Sequence, residues 1–143
     1  MNVAHILREK GREVASVQPH NSLKDVVARL AEMRVGALVV MDATRAPLGI
    51  VSERDIIRVL GAHGAEVLDD LVSKHMTRKV QTVNEDTSVD EVMSLMTQGR
   101  FRHLPVVEDD KVVGIVSIGD VVRRHVDELH HEREALKEYI ASA

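Results

Sequence analysis

Leu23, Val26, Val27 and Leu30 fall at i, i+3, i+4 and i+7, and Val89, Val92, Met93 and Met96 repeat that spacing. Each set predicts a helix with one apolar stripe turned to a core, in which the methionines act as filler. Ser22 and Ser88 stand just before the stripes, with Asp25 and Glu91 three positions on. Both pairs predict a capped helix start, and Ser88 with Glu91 is the better match to a capping box. Short extended pieces, "VASV" and "VQTV", precede the two serines. Beyond the helices come "GALVVM" and "RHLPVV", a polar turn, then "LGIVS" and "VVGIVS". These β-branched runs predict two hairpins of buried strands, with Pro105 marking a strand start or an edge. A further apolar-periodic segment opens at Asp55 ("DIIRVL") and again at Asp120 ("DVVRRHV").

The chain therefore writes strand, helix, strand, strand, helix twice. An offset of 66 residues lays Val14 on Val80, Ser22 on Ser88, Arg34 on Arg100 and Val40 on Val106. After one residue is lost in a loop, Gly49, Ile50, Val51, Ser52, Asp55 and Arg58 fall on Gly114, Ile115, Val116, Ser117, Asp120 and Arg123. This period is longer than that of common solenoids, so two copies packed face to face are expected. Residues 1–66 are read as the first copy with its lead-in, 67–125 as the second copy with a short connector helix, and 126–143 as a helical tail continuing from Asp120 to about Ile140.

A length of 143 residues with 44% hydrophobic content suffices for such a core. A formal charge of -4 and an aromatic content of 1% argue against general nucleic-acid binding. No apolar run is long enough to span a bilayer or to form a signal-peptide core, which places the protein in the cytoplasm and away from membranes. The absence of cysteine excludes disulfides, thiolate metal sites and a cysteine nucleophile.

The duplicated Gly-Ile-Val-Ser-x-x-Asp, in "LGIVSERD" and "VGIVSIGD", carries the chemistry. A strand that ends in a helix N-terminus offers free backbone N–H groups to phosphate, and the aspartate can accept from a ribose diol. Ser and Asp are equally at home there as simple helix caps. With the order of elements and "GRFRHLPVVEDDKVVGIVS", the chain resembles a tandem pair of CBS domains from Val14 to about Val126. The resemblance implies an α+β fold of two strand-helix-strand-strand-helix repeats related by a pseudo-twofold axis. It implies regulation without catalysis, with no catalytic cofactor, and clefts that take AMP, ADP, ATP, NAD(H) or S-adenosylmethionine. It further implies a homodimer built through helices and an unidentified regulated protein on another chain.

Carried over by position, the resemblance puts Ser117, Gly119 and Asp120 in one cleft with Ala15, Val17 and Val35 as the adenine slot and Arg102 at the phosphate. The other cleft takes Ser52, Arg54 and Asp55 with Gln81, Val83 and Phe101, and His103 at the phosphates. Gly119 permits closer backbone approach than Arg54 does, so the Asp120 cleft is expected to bind AMP more tightly.

In the tail, Val122, Leu129 and Leu136 are spaced by seven, with Val126 and Ile140 on the neighbouring row and Arg133 interrupting it, the pattern of a short coiled coil. His125, His130 and His131 lack the i, i+4 spacing of a helical metal site and are read as solvated. Neither motif serine stands in a nucleophile elbow, which argues against a hydrolase. The rival reading is a structural adaptor with unoccupied clefts.

Overall fold

A computed structural model describes Met1–Ser142 and bears out the repeat. Helix α1 (Val3–Lys10) leads into β1 (Ser16–Val17), α2 (Leu23–Met33), β2 (Ala37–Met41), β3 (Pro47–Ser52) and α3 (Glu53–His63). A 3-10 turn (Ala65–Asp69) and α4 (Val72–His75) connect to the second copy, which holds α5 (Val89–Gly99), β4 (His103–Glu108), β5 (Lys111–Ser117) and α6 (Ile118–Ser142). The expected long tail is thus the continuation of α6. β1 pairs parallel with β2, which pairs antiparallel with β3; β4 and β5 form the second hairpin.

The first strand of the second copy shrinks to a single parallel bridge, Val83 with Val106. The cause is Pro105. In the first copy the Val39 N–H donates to the Ala15 carbonyl at 3.1 Å. Pro105 occupies the equivalent place and has no N–H to offer Gln81, so the ladder stops at Val83. Pro105 itself lies within β4, paired with Ile115, and not at a strand end. The helix starts also differ in detail from expectation. Ser22 and Asp25 bond reciprocally, at 3.1 and 3.0 Å, whereas at Ser88 only the arm from the Glu91 N–H is made, at 3.0 Å.

Each copy has its own core. Leu23, Val26, Leu30, Leu38, Val40, Val51, Ile56 and Val72 are buried together in the first, and Val89, Val92, Met96, Leu104, Val106, Val116 and Val121 in the second. Val39, Met41 and Val112 form a third cluster that joins the hairpins. Around it, Arg45 ties the copies by donating through Nε and a terminal nitrogen to the Val112 carbonyl at 3.1 and 2.9 Å. The Arg45 carbonyl in turn accepts from the Val112 N–H at 2.9 Å.

The sequence pattern gave no separate helix at the N-terminus, yet α1 buries Val3, Ile6 and Leu7 in the second core. It stands to that copy as the connector stands to the first. Val3 and Val89 exchange backbone bonds with Thr87 and Met1, just as Leu23 and Val72 do with Asp70 and Asn21. The motif glycines make room for both visiting segments. A Cβ on Gly49 would stand 2.6 Å from Met76 Sδ and 2.9 Å from the Thr77 carbonyl oxygen; one on Gly114 would stand 2.7 Å from a Leu7 methyl.

These contacts set the cost of filling the space. Gly49→Ala pushes on backbone as well as side chain and is expected to destabilise by roughly 1–3 kcal/mol, more than Gly114→Ala, where only the flexible Leu7 tip must move. Leu7→Ala is expected to cost about 2–5 kcal/mol. Urea unfolding of the three variants measures these differences, and an unchanged midpoint for Leu7→Ala would place α1 outside the core.

Candidate functional site

The strand-to-helix corners at β3–α3 and β5–α6 have almost the same geometry. The Ser52 and Ser117 N–H groups each donate to an aspartate Oδ2 at 2.9 Å, and the Asp55 and Asp120 N–H groups each donate to a serine Oγ at 3.2 Å. Both Ser-x-x-Asp motifs are therefore capping boxes, with each aspartate on the third helical residue. A pseudo-symmetric backbone bond accompanies each, Glu53 N–H to the Gly36 carbonyl and Ile118 N–H to that of Arg102. Capping explains the motif locally but leaves Oδ1 of each aspartate facing outward from the corner.

Beside Asp55, that outward side opens on a cavity of about 400 Å³ between the two copies, within the range of small-molecule sites. Ser52, Glu53, Arg54, Asp55 and Arg58 come from the first copy, and Arg100, Phe101, Arg102 and His103 from the second. Gly36, Ala37, Ile50 and Thr77 complete the lining. Asp55 Oδ1 accepts from Arg58 at 3.1 Å, and its side chain keeps 15% exposure. The Phe101 ring packs against Gly99, where a Cβ would lie 2.1 Å from it.

Four guanidinium groups against two carboxylates leave an excess of two positive charges. Burial holds the His103 imidazole below its ordinary pKa, and Lys10 and Arg102 push the same way against Asp120 and Glu53. Neutral His103 therefore adds a hydrogen-bonding ring and no charge near pH 7.

The Asp120 corner is different. Lys10 Nζ, at the end of α1, lies 2.6 Å from Asp120 Oδ2 and donates to the Ile115 carbonyl at 2.9 Å. Only about 230 Å³ remains, bounded by Ile6, Glu9, Lys10, Asp120, Arg123 and Arg124. Burial pushes the Asp120 carboxyl up, but the Lys10 ammonium and the Ser117 N–H outweigh it and hold the group below the ordinary carboxylate range. Gly119 is open as expected, a Cβ there meeting only Ser117 Oγ at 3.6 Å. The group closest to the carboxylate is Lys10.

The sequence-derived residues thus divide. Ser52, Arg54, Asp55, Phe101 and His103 meet in one cavity, and Arg102 joins them there instead of facing Asp120. Ser117 and Asp120 remain together at their own corner. Ala15 and Val17 are buried in the first core, Val35 is 37% exposed, and none of the three lines the Asp120 pocket. Val83 is buried in the second core, and Gln81 lies with it along a separate shallow groove.

Arg58, Arg100 and Thr77 were not singled out from sequence. The two arginines carry a legible signal, since both recur in the repeat, as Arg123 and Arg34. Thr77 carries none. Lys10 had an indirect one, the spacing of Val3, Ile6 and Leu7 behind an Asn2 cap.

Among the described residues, no helix is long and apolar enough to cross a membrane. The profile of the CBS domain matches residues 3–62 and 69–127. A CBS domain-containing protein of Arabidopsis thaliana, CBSX3, described as mitochondrial, is 35% identical over 96% of this chain and 71% of its own. A CBS-domain containing protein from Agrobacterium tumefaciens superposes with a TM-score of 0.84 at 40% identity, covering 87% of this chain and 99% of that one. A CBS domain protein from Pyrobaculum aerophilum, solved in complex with AMP, superposes with a TM-score of 0.75 at 28% identity, covering 84% and 89%. With both halves matched and the pseudo-symmetric corners in place, the chain belongs to the CBS-domain family and carries two CBS domains in tandem.

Proposed function

We propose that this chain is a regulatory adenine-nucleotide-binding module that holds AMP in the cleft beside Asp55 and passes its occupancy to a partner protein. The observation that carries this reading is the cavity in which two carboxylates, four arginines and an apolar surface of Ile50, Ala37 and Phe101 converge from both repeats. Asp55 Oδ1 suits a ribose diol, the apolar surface suits adenine, and the arginines suit phosphate. An excess of two positive charges matches the dianion of a nucleoside monophosphate and disfavours the cationic S-adenosylmethionine.

The helix C-caps support the same use. Arg34 and Arg100 adopt the left-handed conformation, φ 56° in both, which costs a non-glycine residue about 1–2 kcal/mol. Glycine is the usual residue there, and Arg100 instead brings a guanidinium to the cleft. Signalling requires the ligand to bind two states of the module unequally, and the cleft is suited to this because both repeats contribute to it.

On α6, Val122, Val126, Leu129, Leu136 and Ile140 are each at least half exposed. They form an a/d row, broken by Arg133, and Glu132 and Lys137 hold the flanking places that pair across a parallel dimer. This row supports a homodimer.

Calorimetric titration and thermal shift with AMP, ADP, ATP, NADH and S-adenosylmethionine test the reading. Ligand at 100 times its dissociation constant should add about 2.7 kcal/mol, and AMP should give the largest shift. Asp55→Asn, which keeps a capping oxygen, should lose most of it. No shift with any of the five would favour an adaptor with unoccupied clefts. In the ligand-free protein His103 should titrate below its ordinary value in an NMR pH series, and AMP should raise that value by placing phosphate beside the ring; an unmoved titration would remove His103 from the phosphate site. Leu129→Glu should convert the dimer to monomer in analytical ultracentrifugation, whereas a wild-type monomer at tens of micromolar would contradict the homodimer.

A further inference from the structure

We infer that Lys10 occupies the Asp120 cleft as an internal substitute for ligand, so that the chain binds one nucleotide instead of two. The inference rests on the nucleotide reading above and adds the stoichiometry and the residue that sets it. Because the two Ser-x-x-Asp corners have matching bond lengths, the motif itself does not distinguish the clefts. What distinguishes them is the segment that visits each hairpin.

At the first corner the visitor is extended. Thr77 exchanges backbone bonds with Ile50 in both directions, at 3.0 and 2.9 Å, and lines the cleft without a hydrogen bond to Asp55. At the second corner the visitor is the C-terminal end of α1. Gly11, the counterpart of Thr77 by the repeat offset, turns its N–H back to the Leu7 carbonyl at 2.8 Å and leaves with φ 100°. The Ile115 carbonyl, counterpart of that of Ile50, is therefore left without its backbone donor, and Lys10 Nζ supplies one at 2.9 Å. The same ammonium sits 2.6 Å from Asp120, whose side chain is 10% exposed.

Lys10 Nζ shares Oδ2 with the Ser117 N–H and bridges it to the Ile115 carbonyl, standing where a ribose would have to enter to reach Oδ1. The helix that brings Lys10 is itself fixed. Val3, Ile6 and Leu7 are buried, and Glu9 pairs with Arg124 of α6. Opening the cleft thus requires movement of one side chain and not of the helix. The pair survives ordinary pH changes. A carboxyl held below its unfolded value stabilises the fold above about pH 4 and loses that contribution as pH falls through the folded value.

The test is the number of AMP molecules bound per chain, by calorimetry and by equilibrium dialysis with labelled AMP, for wild type, Lys10→Met, Lys10→Arg and Lys10→Met with Asp55→Asn. One site in wild type, two in Lys10→Met, one in Lys10→Arg and one in the double variant would support the inference. One site in a folded Lys10→Met protein, or two in wild type, would overturn it and leave the nucleotide reading standing. No AMP bound by any of the four would overturn both. Far-ultraviolet circular dichroism and melting without ligand establish that Lys10→Met is folded.

Discussion

The close approach of a foreign segment to the glycine of each Gly-Ile-Val-Ser strand is the constraint on which the rest of the structure depends. Gly49 and Gly114 lack the one carbon that would block Met76 and Thr77 on one side and Leu7 on the other. Because both glycines admit a visitor, each hairpin is completed by chain from outside its own repeat: the connector closes the first core and α1 closes the second. Two identical corners then acquire different neighbours, and the symmetry written in the motif becomes an asymmetry of access.

The same residues serve the fold and the site. Ser52 with Asp55, and Ser117 with Asp120, satisfy N–H groups at a helix start that would otherwise need water. One carboxylate oxygen does that work in each pair, leaving the other available. In the first cleft that second oxygen meets Arg58 and an opening of useful size. In the second, Lys10 bonds the capping oxygen itself and crowds the corner, while the other oxygen lies 3.8 Å from Arg123. Capping and ligand binding are therefore compatible readings of one motif.

Much of this was legible in the sequence because the chain states it twice. The helix stripes, the hairpins, the long final helix and the meeting of Asp55 with the other repeat's Phe101 and His103 all follow from periodicity, turn chemistry or the family resemblance. What escaped had no second copy or acted over distance. Helix α1 is a short stripe that its structural counterpart, the connector, matches in backbone bonds but not in sequence, and Lys10 reaches a residue far along the chain. Pro105 was visible, but its effect falls on Gln81, because the missing N–H would have donated to the neighbouring strand. The adenine slot inferred from Ala15 and Val17 failed to reach the Asp120 corner for a simple reason: both side chains point into the first repeat's core.

The proposed asymmetry assigns the ligand to one of two similar corners. Backbone amide chemical-shift mapping during an AMP titration of the wild-type chain tests it most directly. Saturable shifts are expected at Ser52 to Asp55, Thr77 and Arg100 to His103, with Lys10 and Ile118 to Asp120 nearly unmoved. Shifts centred on Lys10 and Ile118 to Asp120, with Asp55 and Thr77 unmoved, would contradict it.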